Sequence, residues 1–180
     1  MSMIGEQMRG HPEHPLSTFA EGPGHAPPSI WYLVQGLLHL GVDDHPQALL
    51  AFARSEAEPA DPLTAFSTFL SAAVRGDESA RAALTPEVEQ AGWHDNSYAE
   101  FVAEGFALLN DAEQAARWLG RSVDLGFGCY AGLAEHNALW QRWRGHPLLK
   151  PVFERLRVQS AYYESLPIAP RLAELLKRRT

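Results

Sequence analysis

The chain is short of several features that would each announce a function. It holds one cysteine, Cys129, among 180 residues. No intrachain disulfide can form, so nothing requires an oxidising compartment. No stretch approaches the roughly 20 apolar residues of a membrane span, and Met1 to Gly10 lack the apolar run of a secretory leader. A cytoplasmic location without a membrane partner is the expectation. Basic residues are scarce, 15 Lys and Arg against 22 Asp and Glu, for a net charge of -7. That balance argues against general affinity for nucleic acid. Alternation of β type is missing over any useful length. What is present is 46% hydrophobic content, enough for one domain with a core.

The charge is unevenly placed. From Arg142 to Thr180 there are nine basic and three acidic residues, and the preceding 141 residues hold six basic and nineteen acidic. An acidic body and a basic end can attract each other within one chain or between two.

Residues 1–28 read as a tail rich in Pro, Gly and His, with too few apolar residues for a core. From Ser29 the spacing turns helical. Ile30, Leu33, Val34, Leu37 and Leu40 recur at three and four, and Gly41 offers a stop. Pro46 opens the next helix, with Ala48, Leu49, Phe52 and Ala53 on one face. Glu58 to Pro62 is a breaker in which Asp61 can cap and Pro62 can open. A third helix carries Leu63, Phe66, Phe69, Leu70 and Ala73 to near Gly76, and a short one follows from Asp77 to Leu84. Thr85-Pro86 reads as a capped start. Ala91 to Asn96, with Gly92, reads as a loop. Asn96 or Ser97 then caps a strong helix bearing Tyr98, Phe101, Val102, Phe106 and Leu109, and Ala112 to Val123 forms the next. Asn137 can cap a helix through Trp143, and Pro147 can open one to about Glu164. A last short helix covers Arg171 to Arg178.

Lone two-helix units cannot bury both sides of their apolar stripes, and stacking the pairs closes a shared core. Three pairs occur here, 29–57, 62–91 and 97–125, with starts about ~34 residues apart, the tetratricopeptide length. Small residues sit where backbones must approach: Ala103 with Phe106, Ala115 with Leu119, and the set Gly36, Ala48 and Phe52.

Phe101 to Asp111, followed by Ala115-Ala116-Arg117-Trp118-Leu119, resembles a tetratricopeptide repeat. The continuation Gly126 to Tyr130, Leu133 to His136 and Arg144 to Pro147 is similar to the closing segment of bacterial tetratricopeptide regions that follow a kinase, nucleotide cyclase or DNA-binding domain. His146 stands where an acidic residue is usual, and Asn110 where a turn glycine is usual. The resemblance implies an all-α, right-handed helical solenoid of about three helix pairs with a C-terminal capping segment. The domain limits are then 1–28 for the tail, 29–165 for the helical body with its cap, and 166–180 for a basic helix. Phe127, Tyr130, Leu133, Leu139, Trp140 and Trp143 supply the cap.

Catalytic and metal chemistry finds little footing. His11, His14 and His25 lie among prolines without a second ligand pair at a familiar interval, so no metal is expected. Glu135, His136 and His146 read as turn and cap residues. Cys129 follows a helix C-terminus, where the dipole disfavours a thiolate. Gly126-Phe127-Gly128 follows a helix and lacks the lysine of a phosphate loop. No enzyme activity and no cofactor are expected.

Binding is the remaining class. In stacked pairs the first helix of each pair lines the concave face. Its off-core positions are Trp31, Gln35 and His39, then Thr64 and Thr68, then Glu100 and Glu104. This neutral-to-acidic set suits a basic or amphipathic segment of another protein. The expected function is a protein–protein interaction, scaffold or regulatory module. The alternatives are a homo-oligomeric structural protein, with a second copy as partner, or a detached regulatory region of a bacterial kinase, cyclase or transcription regulator.

Overall fold

The computed structural model describes residues 27–58, 63–77 and 79–166. These residues are all-α, with no strand among them. The helices are α1 (Pro28–Gly41), α2 (His45–Glu56), α3 (Leu63–Val74), α4 (Ala80–Ala83), α5 (Pro86–His94), α6 (Asn96–Leu108) and α7 (Ala112–Asp124). A short π-helical turn, Ala131–Glu135, then leads to α8 (Ala138–Trp143) and α9 (Lys150–Ser165). None of them is long and apolar enough to cross a membrane. Of the expected tail over 1–28, residues 1–26 lie outside the described residues and Pro28 already opens α1; the Asp61 cap with Pro62 and the helix over 171–178 also lie outside the described residues.

Sequence neighbours pack on one another: α1 on α2, α2 on α3, α5 on α6, and α6 on α7. The stack continues across them, α3 lying against α1 and against α6. Two close approaches set the spacing. A Cβ on Gly36 would fall 2.2 Å from Phe52 Cε1, and one on Gly105 would fall 2.1 Å from Phe69 Cε1. Each glycine thus admits a whole ring against its helix backbone. Buried hydroxyls tie the first three helices together. Ser67 Oγ lies 2.8 Å from Ser55 Oγ, which in turn donates to the Ser29 carbonyl at 3.0 Å. Each satisfies polar groups that would be costly if left alone.

Four helix ends share one turn. Asp43, Gly76, Asn110 and Gly126 have φ of 62°, 66°, 58° and 102°. The next residue's N–H donates back to the carbonyl five residues earlier: Asp44 to His39, Asp77 to Ala72, Asp111 to Phe106 and Phe127 to Ser122. This left-handed closure satisfies carbonyls that a helix end leaves open. In three of the four the following residue is Asp, and its carboxylate begins the next segment. Asp44 accepts from Gln47 N–H, Asp77 from Ser79 N–H and Asp111 from Gln114 N–H.

The chain departs from its sequence pattern in three local ways. The expected loop over 91–96 is mostly helix, the end of α5. Gly92 is buried there because a Cβ would lie 3.1 Å from the Trp118 ring. The cap of α6 is neither Asn96 nor Ser97 but Asp95, whose Oδ1 accepts from Ser97 N–H at 2.8 Å and Tyr98 N–H at 3.1 Å. Helix α9 begins at Lys150 with Pro151 in its first turn, so Pro147 lies in the preceding turn.

After α7 the chain folds back. Leu133, Leu139 and Trp140 enter the main core, and Phe127, Tyr130 and Trp143 pack half-buried against it. Helix α8 lies against both α6 and α1, and α9 lies against α7. Gln159 Nε2 donates to the Val123 and Phe127 carbonyls at 3.1 and 2.7 Å, and Arg155 pairs with Asp124.

Candidate functional site

Glu100 and Glu104 sit one turn apart on α6, so both carboxyls leave the same face. The sequence places them on an open groove. The structure places them inside: they are 7% and 2% exposed. Every residue from Ala99 to Ala107 is buried, because α3, α5, α7 and α8 all pack on α6. The would-be concave face of α1 and α6 is covered by the chain's own segment from Phe127 to Trp140.

The cover is incomplete. A cavity of about 60 Å³ remains between α1, α6 and residues 127–137. Val34, Leu37 and Leu38 wall it from α1, and Phe127, Gly132 and Leu133 from the returning segment. Glu100 and Glu104 form its acidic side, with Ser97, Cys129 and Asn137 as the other polar groups. No Lys or Arg among the described residues lines it. Its rim is accessible, since Val34, Leu37, Phe127, Cys129 and Gly132 are only half-buried.

The polar partners are few. Asn137 Nδ2 donates to Glu104 Oε1 at 3.0 Å. Among the described residues neither Glu104 Oε2 nor the Trp140 indole N–H has a well-aligned hydrogen-bond partner, although the two carboxyls lie close enough to share a proton. That N–H is near enough to steady negative charge on both carboxyls without forming a well-aligned bond. Burial pushes Glu100 up to about 7, against the easing effect of Glu104 and Trp140. Burial first, then the charge of Glu100, pushes Glu104 well above the usual carboxylate range. Two carboxyls in one desolvated place cannot both ionise cheaply, so the pair retains protons to unusually high pH. Cys129 feels the same environment. Burial, with the charges of Glu100 and Glu164, raises its thiol to about 11, although backbone N–H groups of Gly132 and Leu133 oppose this. It is a neutral thiol at physiological pH.

The other expected groove residues do not join this cavity. Trp31 is buried at 9% exposure with Leu38 in a small cluster on α1, against Tyr32 and Val34. It is therefore not an open groove position. Gln35 and His39 are half-buried on α1. His39 Nδ1 has no hydrogen-bond partner and stands 3.7 Å from Asp44 Oδ2; burial lowers its pKa, with Asp44 opposing. On α3, Thr64 is half-buried and Thr68 exposed, with Thr68 Oγ1 donating to the Thr64 carbonyl at 3.1 Å.

Of the seven groove positions, the structure therefore brings only Glu100 and Glu104 to one site. The pattern of the sequence does not show Cys129, Asn137 and Trp140 beside them. Asn137 was legible as a helix cap, which it is, accepting from Trp140 N–H at 3.3 Å. Its second contact, across 33 residues, has no local signature.

Compared with protein-family models, curated proteins and solved structures, the chain finds no match.

Proposed function

We propose that this chain is a tetratricopeptide-like protein-interaction module, and that a partner polypeptide docks where α1, α6 and the segment 127–137 converge. Support for the repeat comes from recurrence. The turn aspartates Asp44, Asp77 and Asp111 follow one another at 33 and 34 residues, matching the repeat length of such units. A glycine seats a buried ring both within a pair, Gly36 of α1 on Phe52 of α2, and between pairs, Gly105 of α6 on Phe69 of α3. The partner is a polypeptide segment rather than a substrate, since the cavity offers apolar walls and acceptors but no activated nucleophile.

One observation carries the docking position. Glu104 Oε2 is a deeply buried oxygen that no donor among the described residues serves through a well-aligned bond, on the wall of a cavity whose rim is half-open. Native proteins leave few such atoms, because each costs about 1–3 kcal/mol. A partner that supplied the missing donor would recover that cost on binding.

Cys129 makes the reading testable. It is the only thiol of the chain and lines the cavity. The partner is captured with the intact chain, and alkylation of Cys129 is timed with and without it. A docked partner slows the reaction, and Val34→Phe, which fills the rim, weakens capture while far-ultraviolet circular dichroism stays unchanged. A partner that leaves alkylation and the Val34→Phe result untouched docks elsewhere, and the reading fails.

A further inference from the structure

We propose that the cavity beside Glu100 and Glu104 is a lysine pocket: it takes the ammonium end of a lysine side chain from the docked partner. This rests on the reading of the chain as an interaction module and names what that module recognises.

The geometry points to a cation on a slender apolar stem. Two carboxyls on consecutive turns of α6 face the cavity, no basic residue among those described lines it, and one carboxyl oxygen has no well-aligned donor among them. Asn137 Nδ2 donates to one oxygen of Glu104 and leaves the other open. Apart from Ser97 and Cys129, the remaining wall is mostly hydrocarbon, from Val34, Leu37, Leu38, Phe101 and Leu133. A lysine has the matching order of chemistry, with methylenes along the wall and three N–H donors at the end. Size agrees. A water needs roughly 10–15 Å³ of such space, so about 60 Å³ holds a handful of waters, close to the four heavy atoms of the lysine side chain beyond Cβ. A guanidinium is a broad planar fork that seeks a bidentate carboxylate. Here the carboxylate edge is partly taken by Asn137, so lysine fits better than arginine.

Protonation follows the ligand. Without a cation, burial keeps protons on the pair. The other titratable group on the cavity wall is Cys129, neutral at physiological pH. An entering ammonium favours the ionised carboxyls, so it displaces a proton from the pair. Affinity therefore rises with pH from 6 to 8.

The probe is n-butylammonium, the side chain of lysine without its backbone. 1-Butanol serves as its neutral counterpart and n-propylguanidinium as the arginine counterpart. Each is titrated against the full chain at pH 8, reading both the rate of Cys129 alkylation and the heat of binding in two buffers of different ionisation enthalpy. Butylammonium is expected to slow alkylation at least fivefold at saturation and to release protons, with butanol and propylguanidinium at least tenfold weaker. The Glu100→Gln/Glu104→Gln variant keeps the shape, and its response to butylammonium should vanish. Equal effects of butanol would show an apolar cavity without cation selectivity and overturn the proposal. So would silence toward all three probes, which makes the carboxyl pair an internal link between α6 and the returning segment. If a captured partner still protects Cys129 in that case, the interaction module stands and only the lysine is wrong. If no partner protects it either, both readings fall.

Discussion

Asn137 holds two elements with its two ends: Nδ2 donates to Glu104 Oε1 at 3.0 Å, and Oδ1 accepts from the Trp140 N–H at 3.3 Å. One side chain therefore caps α8 and fastens that helix's start to α6. Asn137→Ala leaves a buried carboxyl oxygen without a donor and α8 without its cap. Costs of about 1–3 kcal/mol for the first and about 1 kcal/mol for the second predict a loss near 2–3 kcal/mol, allowing for overlap. Urea unfolding monitored by tryptophan fluorescence measures it. Asn137→Asp retains the cap but brings a third carboxyl to the pair. It should be at least as damaging at pH 8, and milder at pH 5, where the carboxyls are protonated.

The carboxyl pair also sets a direction for pH dependence. An exposed glutamate titrates near 4.5, whereas burial holds Glu100 up at about 7 and Glu104 well above its ordinary range. Between those limits the folded chain keeps protons that the unfolded chain releases. The contribution to stability is full below pH 4.5 and lost as pH rises through 7 and beyond. Each unit of pKa displacement corresponds to about 1.4 kcal/mol. His39 acts the opposite way, because burial lowers its pKa. The decisive comparison is thus between the natural chain and Glu100→Gln, which share His39. The natural chain should lose stability from pH 6 to 9, and Glu100→Gln should lose distinctly less. Parallel curves for the two would mean that Glu100 does not retain its proton.

Two glycines in helix interiors separate packing from propensity. Replacing helical Gly by Ala ordinarily stabilises by about 1 kcal/mol. At Gly120 on α7 the nearest atom to a new Cβ is Arg155 Nη1 at 4.0 Å, so Gly120→Ala should stabilise by roughly 0.5–1 kcal/mol. At Gly105 the same methyl would fall 2.1 Å from Phe69 Cε1, a fully buried ring also stacked edge-on with Phe106 at 5.6 Å. Overpacking of that kind costs about 1–3 kcal/mol or more, so Gly105→Ala should destabilise despite its better propensity. Thermal midpoints that move in opposite directions are the expected result.

The helices were legible because their apolar spacing and their caps are local. Thr85 accepts from the Val88 N–H and Asn137 from Trp140, each at the position the sequence suggests. The Gly36–Phe52 approach was legible for the same reason, as a small residue paired with a ring. The site was not. On α6 alone, Glu100 and Glu104 look like a solvent face opposite Phe101, Val102 and Phe106. What buries them is a segment some thirty residues later, and no periodicity on α6 encodes that return. Trp31, expected on the groove, is likewise buried, beside Leu38, Tyr32 and Val34 of its own helix. The loop expected at Gly92 reflects glycine read as a breaker where it is a seat for Trp118.

The turns carry a signal that composition alone obscures: a residue able to adopt positive φ, followed by Asp, at 43–44, 76–77 and 110–111. Their backbone geometry can be tested apart from packing. Asn110 is exposed, with φ of 58°. Left-handed backbone costs an ordinary L-residue roughly 1–2 kcal/mol, which Asn partly escapes and Gly escapes altogether. Asn110→Ala should therefore lose about 1 kcal/mol, while Asn110→Gly stays within about 0.5 kcal/mol of the natural chain, because relief in the fold offsets added freedom in the unfolded chain. Gly76 offers the converse. A Cβ there meets nothing within 4 Å, yet its φ is 66°, so Gly76→Ala should still cost about 1 kcal/mol. Denaturant midpoints for the three variants decide it. Matching losses for Asn110→Ala and Gly76→Ala would show that the two turns bear the same conformational demand, as copies of one repeated unit must. A neutral Gly76→Ala would remove that equivalence and weaken the repeat on which the interaction reading partly rests.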